Sequence, residues 1–195
     1  MRNWAHGAGE AKPIVTADHE DGRLTVPFIG FAEAFVLTAL RQAGVPMQRI
    51  RPAVGDLKRE IGLEHALASR NLATDGAEVL YRYAGDEPDH TVVRSKQRQF
   101  RKAVEDRLRP IHYAADGLAD RLWLPIYGEE EVLVDPTKAF GRPLLRSGRA
   151  RVEDIADRFA AGESISELAQ DFRVSAEQVE HVVRVEAKAC RARAS

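Results

Sequence analysis

Gln178 and Arg184 lie off a short C-terminal apolar stripe, where they could reach base edges or phosphates from the outer face of a helix. Arg173, Ser175 and His181 share that stretch and complete a candidate DNA-binding set. Glu177 and Glu180 stand among them, and a carboxylate beside phosphate is repelled, so on charge alone this face is a middling DNA reader. The competing reading is a helical module that packs on another protein or on its own copy. A second cationic set, Arg142, Arg146, Arg149 and Arg151, falls in a Gly/Pro/Ser context and suits an acidic protein partner. The most basic window runs from Arg94 to Arg109. Phe100, Val104 and Leu108 recur in it every fourth residue, so it reads as an amphipathic helix with one wet, positive side. That side could track a phosphate backbone, meet an acidic protein or simply be solvated.

Enzyme chemistry finds less support. The six histidines, His6, His19, His65, His90, His112 and His181, offer no pair at the spacing that puts two imidazoles on one metal. Glycine-rich phosphate loops are absent. Ser164, Ser166 and Ser175 have helix-capping explanations, and Asp116, Asp120 and Glu129 to Glu131 read as turn and surface residues. No catalytic residue, metal set or cofactor is therefore expected.

The 195 residues carry 29 Lys+Arg against 30 Asp+Glu, so net basicity gives no argument for a nucleic-acid partner and charge arrangement must supply it. With 44% hydrophobic residues the chain can build a core. Cys190 is the single cysteine, which excludes a disulfide framework and suits a reducing compartment. No apolar run approaches the ~20 residues that cross a bilayer, and a cytoplasmic protein is expected.

Periodicity supplies the elements. Pro13-Ile14-Val15-Thr16 and Arg23 to Phe28 are β-type clusters, with Asp18 to Gly22 as the turn between them. Phe31, Phe35, Leu37, Leu40 and Ala43 predict a helix closed by Gly44, and Ile50, Val54, Leu57 and Ile61 a second one from Pro46 to Gly62. Ala73 to Tyr83 is β-like, Gly85 to Asp89 a loop, and Ile111 to Tyr113, Leu122 to Leu124 and Val132 to Val134 are strand candidates. Ile155, Ala156 and Phe159 form a helical stripe ended by Gly162. Ser164-Ile165-Ser166-Glu167 and Ser175-Ala176-Glu177-Gln178 are capping boxes that open two further helices, burying Leu168 and Phe172, then Val179, Val182 and Val183. The short link between them has the length of a helix-turn-helix turn. The expected class is α+β, mainly helical: residues 1–62 a partial winged helix-turn-helix with a helical hairpin, 63–131 a middle α+β segment, and 132–195 a compact trihelical helix-turn-helix of short helices.

The final third resembles a known family. Asp135-Pro136, Phe140-Gly141-Arg142-Pro143, Leu145, Arg149 and Val152, then Gly162-Glu163-Ser164-Ile165, Glu167-Leu168-Ala169 and Phe172, look like the homeodomain-like domain of unknown function 433 of VapB-type antitoxins. One departure stands out: the family's Gly-Thr-Arg followed by proline is here Ser147-Gly148-Arg149 followed by Arg151. The resemblance implies a DNA-binding antitoxin that neutralises a PIN-like ribonuclease toxin and regulates its own operon; a homodimer is expected because two-fold operators usually meet two-fold proteins. An arginine set in the toxin's acidic metal site is the implied mode of inhibition. At the other end Arg2-Asn3-Trp4, Phe31-Ala32-Glu33 and Gly44 to Arg51 resemble the tail of a MerR-type winged helix-turn-helix. That likeness implies DNA contact from Arg2, Asn3 and Trp4. It also implies that the start lies upstream of Met1 or that a segment was lost, since four residues cannot nucleate a helix unaided. The alternatives are a MerR-like transcription regulator without a toxin, and a purely structural adaptor.

Overall fold

The computed structural model describes residues 13–20, 23–43, 45–62, 64–72, 102–128, 131–148 and 150–194. The β-like stretch at 73–83, the loop at 85–89, most of the basic window and Gly44 lie outside them. The chain divides into two compact units, 1–120 and 121–195. The architecture is mainly helical with short antiparallel strands, as the sequence implied.

In the first unit, β1 (Asp18–Glu20) pairs antiparallel with β2 (Arg23–Thr25), His19 opposite Leu24. The sequence placed the strand earlier, at Pro13 to Thr16, and read Asp18 to Glu20 as turn. Ile14 and Val15 are instead buried without joining a ladder. The physical reason is that the Thr16 backbone is already engaged: its N–H donates to the Glu33 carboxylate at 2.6 Å, and its carbonyl sits against Gly30.

Helix α1 (Phe28–Gln42) follows Pro27, and α2 (Met47–Ile61) follows Pro46, which stands one position before the helix and not inside it. The buried side of α1 is Ala32, Val36, Leu37, Ala39 and Leu40, while Phe31 and Phe35, expected in the core stripe, are only half-buried. Small residues bring backbones close, so the aromatic rings are left at the margin of the face. In α2, Ile50, Val54 and Leu57 are buried as expected, and Gly62 closes the helix at φ 70°, a conformation open to glycine at little cost. A buried 3-10 turn, Ala66–Ala68, packs on both helices.

Residues 102–108 form α3, with Val104 and Leu108 buried and Lys102, Glu105 and Asp106 exposed. After it, β3 (Ile111–Tyr113) turns into β4 (Ala119–Trp123) through a turn in which the Ala114 N–H donates to the Leu118 carbonyl at 2.9 Å.

In the second unit, the end of β4 pairs with β5 (Val132–Val134), Leu122 opposite Val134, and β5 pairs with β6 (Leu144–Leu145). Three separate helices follow: α4 (Val152–Ala160), α5 (Ile165–Phe172) and α6 (Ala176–Ala194). At 19 residues α6 is longer than the short third helix expected. One core unites Val132, Leu145, Val152, Ile155, Leu168, Val179 and Val182 with Tyr127. Phe159, read as part of the α4 stripe, is 38% exposed, because the nine-residue helix turns only Val152 and Ile155 fully inward. No described helix is long and apolar enough to cross a membrane.

Both serine-opened helix starts form. Ser164 Oγ accepts from the Glu167 N–H at 3.3 Å while the Glu167 carboxylate accepts from the Ser164 N–H at 2.9 Å. Ser175 Oγ and the Gln178 side chain exchange the equivalent pair, each at 3.1 Å. Ser164→Ala is expected to lower the unfolding free energy of this unit by about 1 kcal/mol, readable as a shifted urea midpoint, since it orphans one first-turn donor.

Candidate nucleic-acid and partner interface

The turn between α5 and α6 is Arg173-Val174-Ser175, and its shape comes from one left-handed residue. Arg173 closes α5 at φ 54°, its N–H directed to the Gln170 carbonyl at 3.2 Å, and the Val174 N–H reaches back to Ala169 at 3.0 Å. Glycine is the common occupant of such a position, so a branched cation there is held by its surroundings at some conformational cost.

The crossing of α4 and α5 is fixed by Arg158. Its Nε donates to Glu163 at 2.7 Å, its Nη2 donates to Asp171 at 2.6 Å and to Glu163, and its guanidinium lies 5.1 Å from the centre of the Phe172 ring. Those hydrogen bonds to Glu163 and Asp171 hold the Arg158 pKa above its ordinary value. No local pattern in the sequence marks this clamp. Its partners stand five and thirteen residues away, spacings that no helical period links.

Ser175, Gln178 and His181, three of the five C-terminal candidates for DNA contact, come together on a cleft of about 510 Å³. Its other lining includes Glu131, Glu177, Tyr127 and the apolar Val132, Leu145 and Val182. Gln178 is engaged internally, its Nε2 donating to Glu131 at 2.9 Å in addition to its capping bonds. The Tyr127 hydroxyl donates to the Glu186 carboxylate, tying the middle of α6 to the 3-10 turn Pro125–Tyr127. Arg173 and Arg184 do not line the cleft; both are exposed, and Arg184 pairs with Glu180 one turn earlier.

The partner candidates gather around the start of α4. Arg142 pairs with Glu153, and Arg151 grips Asp154 through two bonds of 2.8 and 2.6 Å. Arg146 lies over Trp123, 6.0 Å from the ring centre, and its backbone N–H donates to the Glu131 carbonyl at 2.8 Å. Arg149, like Arg2, Asn3 and Trp4, lies outside the described residues.

Ahead of these arginines, Asp135 organises a tight turn. It is buried, and its carboxylate accepts from the Thr137 N–H at 2.9 Å and the Thr137 hydroxyl at 2.6 Å. Burial alone pushes the Asp135 pKa up, but the two Thr137 bonds, with Lys138 nearby, outweigh it and hold it below the ordinary value. Hydrogen bonds from Ser164 likewise lower that of Glu167. A carboxylate with a lowered folded pKa contributes stability above its unfolded pKa and loses it as pH falls toward the folded one. The second unit is therefore expected to keep its full thermal midpoint above the ordinary carboxylate values of 4.5 and 3.8 and to lose it progressively below them. Asp135→Asn should remove part of that acid dependence in melting curves recorded from pH 6 to about pH 2.

Beyond Asp135 the backbone is left-handed at three successive residues, Ala139 at φ 44°, Phe140 at φ 55° and Gly141 at φ 73°. Phe140 is 99% exposed. The sequence marks this phenylalanine only through the family resemblance and as an aromatic between Pro136 and Pro143. Among the described residues no three His, Cys, Asp or Glu side chains form a group able to hold a metal ion.

Residues 1–54 match a family described as "Putative DNA-binding HTH domain", and residues 132–184 match "Protein of unknown function (DUF433)". The chain is 41% identical over 200 aligned positions to "Putative antitoxin VapB45" of Mycobacterium tuberculosis strain H37Rv, covering 92% of this chain and 83% of that protein. It is also similar to the crystal structure of Rv2018 from Mycobacterium tuberculosis, with a TM-score of 0.74 and 38% identity over 93% of this chain and 88% of the other. Identity at that level across nearly the whole length, with the DUF433 match falling on the unit that holds the three C-terminal helices, means that this chain belongs to the VapB-type antitoxins that carry a DUF433 domain.

Proposed function

We propose that this chain is the DNA-binding antitoxin of a type II toxin–antitoxin pair, a non-enzymatic homodimer that neutralises a PIN-like ribonuclease and represses its own operon. The 41% identity to an antitoxin over nearly the full length carries the reading. Two features support the DNA half: the helix-turn-helix family matched at 1–54, and the helix–turn–helix made by α5 and α6. Arg2, Asn3 and Trp4 are the proposed N-terminal DNA contacts, with Arg173, Ser175, Gln178, His181 and Arg184 at the other end. Within that second set the exposed cations Arg173 and Arg184 meet phosphate, while Ser175 and Gln178 set the start of α6 through their capping bonds. Arg142, Arg146, Arg149 and Arg151 are assigned to the toxin, where a guanidinium can pair with metal-binding carboxylates.

The deciding experiment is co-expression with the product of the neighbouring gene, followed by a ribonuclease assay with and without this protein. Stoichiometric loss of nuclease activity is expected; full activity in the presence of an excess would remove the antitoxin reading. For DNA, Arg173→Gly separates two roles of one residue. It relieves a left-handed strain, so the melting temperature should hold or rise, while upstream-DNA affinity falls and its salt slope decreases by about one. Unchanged affinity and slope would move the contact elsewhere.

The hairpin β1–β2 followed by two helices, on the segment matched to a DNA-binding family, also favours a second reading, a MerR-like transcription regulator without a toxin. A neighbouring operon of metabolic or efflux genes, with upstream DNA binding intact and no nuclease partner, would select it.

A further inference from the structure

We infer that two copies of this chain join through a knob and a socket carried on the second unit: Phe140 of each copy enters the acid-rimmed cleft beside α6 of the other. This assigns residues to the homodimer proposed above and is independent of the toxin.

The knob is built to be displayed. A phenyl ring 99% exposed to water is unfavourable, and so is a left-handed backbone at Ala139 and Phe140, yet the turn is pinned on every side. Asp135 holds its start through Thr137, the Lys138 N–H donates to the Asp135 carbonyl at 3.0 Å, and the Gly141 and Arg142 N–H groups close it on Lys138 and Ala139 at 2.9 and 3.1 Å. A ring held out this rigidly loses little conformational entropy on binding. Beside it Lys138 keeps its side chain 59% exposed while reaching Asp135 at 3.5 Å, and Arg142 and Arg151 are paired with Glu153 and Asp154, so Lys138 is the cation nearest the ring that is turned to solvent.

The socket has the complementary character. Its floor is apolar, made by Val132, Leu145 and Val182, and Glu131 and Glu177 carry its charge, in a volume of about 510 Å³ that accommodates an aromatic ring. Those carboxylates repel phosphate from the cleft, so the DNA backbone is left to the exposed Arg173 and Arg184 outside it. The occupant must present an apolar tip with positive charge beside it, and Lys138-Ala139-Phe140 is such a segment. Because knob and socket lie on one chain, a two-fold axis makes the contact twice, which is how closed dimers are built.

The test is sedimentation equilibrium of the full chain in reducing buffer. A dimer is expected, and Phe140→Ala should weaken it about 100-fold, since two anchors are lost together and an aromatic hot spot commonly costs tenfold or more. Circular dichroism should be unchanged, because Phe140 is outside the core. Lys138→Glu and Glu177→Lys should each weaken self-association at low salt. An equimolar mixture of those two variants should associate more tightly than either alone, because both 138–177 contacts in a mixed pair join opposite charges. A monomer throughout the micromolar range, a dimer indifferent to Phe140→Ala, or a mixture no tighter than its components overturns the inference. A failed nuclease assay leaves all three measurements valid.

Discussion

Gly30→Ala is expected to destabilise the first unit by about 3 kcal/mol or more, the combined cost of overpacking and of an orphaned buried acceptor. A Cβ at position 30 would stand 1.9 Å from the Thr16 carbonyl oxygen and 3.2 Å from Val26 Cγ1. The first of these is a backbone atom, so no side-chain rotation relieves the clash, and the segment carrying Ile14 and Val15 must leave α1. Its departure withdraws the Thr16 N–H from Glu33, a carboxylate only 1% exposed, and separates the Thr16 hydroxyl from His65 Nδ1, now 3.1 Å away. Glu33 would keep His65 Nδ1 at 3.3 Å. A usual helix glycine gains stability when replaced by alanine, so the sign itself is diagnostic. The measurement is urea unfolding with amide exchange at Thr16. A midpoint that holds or rises, with that amide still protected, would refute the close approach.

Ile155→Ala should cost the second unit about 2–5 kcal/mol. The helix α4 has nine residues and sends only Val152 and Ile155 fully into the core shared by Leu168, Val179 and Val182. So short a helix has little intrinsic stability, and its packed face must hold it. Truncating Ile155 leaves a cavity where α4, α5 and α6 share one core, and amide exchange should accelerate in all three helices together. Phe159→Ala, at a half-exposed position on the same helix, should change the midpoint by far less. Equal losses at the two positions would mean that the inward face of α4 is not the one described.

What the sequence disclosed was local. The boxes at Ser164 and Ser175 need partners three residues away, so their spelling is enough, and both formed. Val179 and Val182 of α6 and the stripe Ile50, Val54 and Leu57 were legible for the same reason, a period within one helix, whereas Phe172 and Val183, also expected inside, are only half-buried against that core. Long-range demands were not. Pro13 to Thr16 has strand composition, but a helix glycine and a buried glutamate claim its backbone. Phe31, Phe35 and Phe159 have the right spacing for a core, yet periodicity cannot say how closely the facing element comes. The Arg158 clamp and the engagement of Gln178 by Glu131 join residues that only the fold makes neighbours. Family letters located the Phe140 turn without conveying that its ring stands in water.

Left-handed alanine and phenylalanine side by side have an evolutionary consequence. Glycine or asparagine at 139 and 140 would make the native turn easier to adopt. A library screened for heat resistance alone should therefore drift away from Ala139-Phe140, whereas one screened for a phenotype that needs the aromatic should retain it. The two selections would pull the same codons in opposite directions, and laboratory lineages should diverge there first.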